Sequence, residues 1–253
     1  MVVGLAPAAL AQAPVPPQSG ISLGVTLGGG WSSNPLEITG KHKGDAYLGS
    51  EIVAGYRWAL AEKTAFSISV TGFSELYRRE EAGGINRAIA AASLSHTWQE
   101  ATFTLGFAGR TAMNQRLTAH DSASNDVSIG VSRPFKLAEN LTLTLNSTLS
   151  RRFMQDGTED QFRARFNITL ARKWEKWTFR VGGGFGYTLE DKTPILPRIN
   201  DRSLSANIGA TYEWQKDREI SVRLAYTRMY SSYAPDRYAA FSFAPQIAAT
   251  FRF

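Results

Sequence analysis

Ala249-Thr250-Phe251-Arg252-Phe253 closes the chain. Counting back from the terminal aromatic, every second position is apolar: Phe253, Phe251, Ala249, Ile247. Arg252, Thr250, Ala248 and Gln246 fall between them. A period of two puts successive side chains on opposite faces, so this stretch reads as a β-strand with one apolar and one mostly polar face. The strand runs to the terminal carboxylate and sets a parity, with Phe on one side and Arg on the other.

The same alternation recurs upstream as Ile21–Trp31, Leu48–Trp58, Phe66–Gly72, a weaker Ala88–Trp98, Phe103–Phe107, Val127–Val131, Leu141–Leu149, Phe162–Leu170, Trp177–Tyr187, Leu204–Trp214 and Ile220–Tyr226. With the closing strand this makes twelve, an even number, as single-chain bacterial barrels have. The links alternate in length. Short ones fall at 59–63, 99–100, 136–140, 173–176 and 215–218, and long ones at 33–44, 78–85, 115–125, 155–159, 190–200 and 231–239. A soluble sandwich has no reason to alternate in this way. A barrel with short turns on one side of a membrane and long loops on the other does. The expectation is an all-β, up-and-down antiparallel transmembrane barrel over residues 21–253.

Composition agrees. Charged residues make up 20% of the 253, and no run after residue 20 approaches the eighteen apolar residues of a membrane-spanning helix. There is no cysteine, which removes disulfides, thiol nucleophiles and cysteine-based metal sites. No metal or other cofactor is expected. Residues 1–13 form a short apolar run ending near Ala9-Leu10-Ala11 and read as the remnant of a secretory signal, and residues 14–20 read as an extended leader. Trp58, Trp98, Trp174, Trp177 and Trp214 sit beside the short links, and Phe253 lies at the same level. Amphipathic rings at one level read as a membrane-interface girdle.

With the apolar parity turned to lipid, the other parity faces inwards. It carries Arg57, Arg87, Arg110, Arg152, Arg163, Arg165, Arg180, Arg223 and Arg252 against Glu51, Glu75 and Glu213. Nine guanidiniums exceed what three carboxylates neutralise, so the lumen is expected to be wet and positive, a lining that favours anions. The net charge of +6 points the same way, towards anionic partners but not nucleic acid. Glycines 182, 184 and 186, and 24, 28 and 30, share the inward parity and are read as making room for the long side chains.

The terminal Phe resembles the C-terminal recognition signal of bacterial outer-membrane barrels. That resemblance implies an outer-membrane location, a setting of lipid bilayer and lipopolysaccharide, and delivery to the barrel-assembly machinery through the last strand. Twelve strands and an arginine-lined interior resemble, in architecture only, the small oligosaccharide-specific porins of Gram-negative bacteria. This implies passive diffusion of small anionic solutes. Two alternatives stay open. A lipase-like enzyme at the outer rim would use His120-Asp121-Ser122 with Asn125, the histidine activating the serine and the amide orienting the histidine. A closed structural or adhesion barrel would act through loops such as Tyr233–Tyr238 and 194–197.

Overall fold

A computed structural model describes residues 19–35, 43–79, 84–155, 160–191 and 198–253, with the side chain of Asp121 excepted. The expected signal remnant, residues 14–18 of the leader and the 194–197 loop lie outside the described residues. Twelve strands form one closed antiparallel barrel: β1 (Gly20–Ser32), β2 (Asp45–Ala61), β3 (Thr64–Tyr77), β4 (Ile85–Trp98), β5 (Ala101–Asn114), β6 (His120–Ala138), β7 (Leu141–Met154), β8 (Gln161–Trp174), β9 (Trp177–Glu190), β10 (Ile199–Gln215), β11 (Arg218–Ser231) and β12 (Tyr238–Arg252). Each strand pairs with its sequence neighbours, and β1 closes on β12, where Leu23 lies opposite Phe251. Every strand therefore has two partners, and the sheet has no free edge to satisfy.

The short links tighten to two residues each: Glu62-Lys63, Gln99-Glu100, Glu139-Asn140, Glu175-Lys176 and Lys216-Asp217. Bulges at Ala59/Ala61, Lys136/Ala138 and Glu213/Gln215 absorb the remaining residues of three longer expected links. Both central residues of the Gln99-Glu100 turn have positive φ, 45° and 67°. This is the backbone of a type I′ hairpin, whose twist matches that of the strands it joins. The long links gather at the other end. One contains a 3-10 turn over Ala234–Asp236, with Pro235 as its second residue.

Several strands outrun the sequence expectation. β6 begins at His120 rather than Val127, so the link before it spans only Gln115–Ala119. β2, β9 and β10 extend likewise at their loop ends, to Asp45, Glu190 and Ile199. Polar, turn-prone residues occupy these extensions. They hide the strand period from a hydrophobicity count, while backbone pairing with a neighbour holds them extended.

Burial is inverted relative to a soluble protein. Among the described residues the buried apolar side chains are few, Ala65, Tyr77, Ala112, Ile199, Ala244 and Pro35, while ten buried residues are polar or charged, Asp45, Glu75, Asp126 and Arg163 among them. The large apolar side chains lie on the outside, as with Leu48 at 69% exposed, Val70 at 60% and Phe253 at 78%. Such a surface is stable only against lipid.

Candidate functional site

Every inward charge expected from the sequence sits on the parity opposite the exposed apolar residues. The strands do not distribute these charges evenly. β5, β7 and β8 bring Arg110, Arg152, Arg163 and Arg165 to one wall in the half of the lumen nearest the long loops. β6 sets Asp126 between them. Arg152 grips Asp126 with two bonds, Nε to Oδ1 at 2.7 Å and Nη2 to Oδ2 at 3.1 Å. Arg110 Nε lies 2.5 Å from Asp126 Oδ2. One carboxylate therefore pairs with two guanidiniums, and it holds Arg152 in the planar fork geometry that arginine favours.

The other two differ from each other. Arg163 is buried and donates to Gln161 Oε1, and Gln161 in turn donates to Glu190 Oε1 at 2.7 Å. Arg165, one inward position deeper, is exposed although it faces inwards, and it lies within electrostatic reach of Arg152, Arg110 and Asp126. Among the described residues no hydrogen-bond or ion-pair partner engages Arg165. Its lumenal neighbours Thr148 and Asn167 are exposed as well. These three side chains line accessible space inside the barrel.

The remaining expected residues lie apart from this cluster. Arg180 donates to Thr211 Oγ1 at 2.7 Å, and Arg252 pairs with Asp217 at the short-turn end. Arg223 on β11 lies within electrostatic reach of Tyr47, whose ring meets that of Tyr77 at 5.5 Å in a tilted contact and whose hydroxyl senses Glu75. Glu51 and Glu213 face inwards on β2 and β10, Arg87 on β4, and Arg57 at the short-turn rim. Glycines 182, 184 and 186 leave space for Asn207, Asn167, Ser205 and Ser203, not for Arg180.

Five inward carboxylates escaped the sequence reading: Asp45, Asp126, Glu190, Asp201 and Glu219. Asp126, Asp45, Glu190 and Asp201 belong to strand extensions that lack apolar alternation. Counting back by two from Ser128 would have placed Asp126 inwards. The lumen as a whole is therefore less positive than nine arginines against three glutamates implies, and the excess is local to the β5–β8 wall.

The six residues expected to form a girdle all lie on the outward face near the two-residue turns. Trp98 is 59% exposed and Trp174 is 63% exposed. Ring contacts join Trp58 to Tyr56 and Phe66, and Trp177 to Tyr212 and Phe179. The residues weighed for lipase chemistry fall inside strand β6 and not in a loop. Asn125 turns to the opposite face from Ser122, and no hydrogen bond joins His120 to Ser122 among the described residues. His96 on β4 instead meets Thr64 Oγ1 at 2.9 Å.

No protein-family model matches the chain. No curated protein sequence matches it either. Solved structures do. An outer membrane channel from Pseudomonas putida F1 is similar over 98% of this chain and 100% of its own, with a TM-score of 0.60 and 10% identity. A bacterial polysaccharide outer membrane secretin is similar over 94% of this chain and 100% of its own, with a TM-score of 0.53 and 11% identity. At such identities the likeness is one of fold. The closed barrel, its exposed apolar band and these neighbours place the chain in the bacterial outer membrane as an all-β barrel.

Proposed function

We propose that this barrel is a passive outer-membrane channel for small anionic solutes, with the β5–β8 wall as its selective element. The observation that carries this reading is the exposed Arg165, with no hydrogen-bond or ion-pair partner among the described residues, beside Arg110, Arg152 and Arg163, four guanidiniums on a wall where Asp126 pairs with two of them. Such a wall lowers the energy of an anion in the lumen and raises that of a cation. Barrel size supports passage. Twelve strands about 4.8 Å apart, tilted by about 40°, enclose a backbone radius of about 12 Å. Lining side chains reaching about 7 Å inwards leave a passage of about 5 Å radius, wider than in an eight-stranded barrel, whose interior side chains fill it. The fold is shared with an outer membrane channel, which fits the same reading. The tryptophans and Phe253 act as the interface girdle at the short-turn side, and the last strand presents the chain to the assembly machinery.

Purified protein in a planar bilayer tests the proposal. Under a salt gradient the reversal potential should have the sign of anion permeation. Replacing Arg163 and Arg165 with Gln should reduce the anion-to-cation permeability ratio several-fold, while Arg57→Gln at the rim should change it little. A closed barrel, or a cation-selective one, would overturn the reading.

A further inference from the structure

Two arginines on the lipid face stand side by side. Arg202 on β10 and Arg228 on β11 are both exposed and share the outward parity of Leu204 and Leu224. Register makes them neighbours: Arg202 lies opposite Tyr230, and Arg228 lies opposite Leu204. Their backbones are therefore diagonal partners, about 7–8 Å apart, within reach of two long side chains. Among the described residues no carboxylate lies within ion-pair distance of either guanidinium. The nearby outward Arg151, by contrast, is paired with Asp191 and Asp160.

The surroundings give the depth. On β11 the outward residues read Arg218, Ile220, Val222, Leu224, Tyr226, Arg228 and Tyr230. Ten residues separate the two arginines, about 33 Å along the strand and about 25 Å across the membrane at a 40° tilt. That equals the height of the apolar band of an outer-membrane barrel. Arg218 and Arg228 thus bracket the hydrocarbon, and Arg228 lies at the outer headgroup level. On β10 the outward residues from Tyr212 to Arg202 span the same ten positions. Tyrosines frame the pair: Arg228 stacks over Tyr230 at 5.0 Å, and Arg202 faces Tyr187 on β9 and Tyr230 on β11. Tyr187 donates to Asn200 Oδ1 at 2.7 Å, which fixes its ring beside the pair.

We propose that Arg202 and Arg228 form a docking site for a phosphate of the glycolipid headgroup of the outer leaflet, lipid A. Two adjacent cations at a low-dielectric boundary repel each other unless an anion bridges them. A phosphate offers three acceptor oxygens to two planar forks. The Tyr187–Tyr230 rings lie against the sugar, where an amphipathic ring suits a headgroup. The site is on the outside of the barrel and is independent of whether the lumen conducts.

Native mass spectrometry of the purified barrel with bisphosphorylated lipid A, and with lipid A stripped of phosphate, tests this. The wild type should bind the phosphorylated form at least tenfold more tightly. The double variant Arg202→Gln/Arg228→Gln should lose that preference, Arg202→Lys/Arg228→Lys should keep part of it, and Arg151→Gln should leave it intact. Inorganic phosphate at equal concentration should not compete, because the acyl chains hold the headgroup at this depth. Equal binding of the two lipids, no effect of the double variant, or displacement of lipid by a second copy of the chain would overturn the proposal.

Discussion

Asp126 is the residue on which the lumen wall turns. Among the described residues it is the only carboxylate in direct contact with Arg110 and Arg152, and its side chain is about one-tenth exposed. Neutralising it removes both ion pairs and leaves two part-buried guanidiniums facing each other, with Arg163 and Arg165 close by. Breaking a buried pair in this way costs about 3 kcal/mol. Asp126→Asn should therefore lower the urea midpoint of unfolding while raising the anion-to-cation permeability ratio. The two effects oppose each other, so a variant that loses stability without gaining selectivity would place the wall outside the solute path. A second residue-scale prediction concerns Glu100, held at φ 67° in its turn. A side chain there costs about 1 kcal/mol, and glycine avoids that cost. Glu100→Gly should raise the unfolding midpoint slightly, whereas Glu62→Gly, at a position without positive φ, should lower it or leave it unchanged.

At the scale of the element, the seam between β1 and β12 decides closure. Pairing runs to Gly28 opposite Gln246, skips two positions, and resumes at Trp31 opposite Phe243. Pro245 lies in the gap and has no N–H to give to the ladder. The two backbones come close here. A Cβ on Gly28 would lie 2.7 Å from the Pro245 carbonyl oxygen, and one on Gly30 would meet the Phe243 carbonyl oxygen and the Tyr47 ring. Neither carbonyl can move without parting the strands. Gly30→Ala should cost more than 2 kcal/mol, a typical overpacking penalty. On unheated gels the barrel should show a loss of the compact, fast-migrating form, while Gly72→Ala, with open space around it on the outer face, should not. The seam also marks what the sequence held. Alternation around Phe251, Val25 and Leu27 gave the strands, their parity and their order, because lipid on one side and water on the other enforce a period of two. The crossing of Gly30 and Phe243 was invisible, since the two are 213 residues apart in the chain and meet only on closure. The acidic inward residues were hidden for a related reason. Asp45, Asp126 and Asp201 lie where polar residues occupy both faces, and only the neighbouring strand holds them extended.

For the whole molecule, the uneven placement of charge predicts how selectivity responds to salt. The excess of guanidiniums is confined to the β5–β8 wall, while Glu75, Asp45 and Asp201 lie on other strands. In the proposed channel, an anion in the lumen would feel this wall as a field from one side and not as a ring of contacts. At 0.1 M salt the screening length is about 10 Å, comparable with the backbone radius of about 12 Å that twelve strands imply. The field then crosses the lumen. At 1 M it falls to about 3 Å, and the potential ends close to the wall. Reversal potentials measured with the same tenfold gradient should show strong anion preference around 0.1 M and little near 1 M. The loss should follow ionic strength and not the identity of a monovalent anion. Anions with several carboxylates should retain preference at higher salt than chloride does, because each added charge multiplies the remaining interaction. Selectivity that survives unchanged at 1 M would point instead to a tight contact site that ions enter singly. The four arginines would then act by direct coordination, and Arg165→Lys should reduce selectivity as severely as Arg165→Gln does.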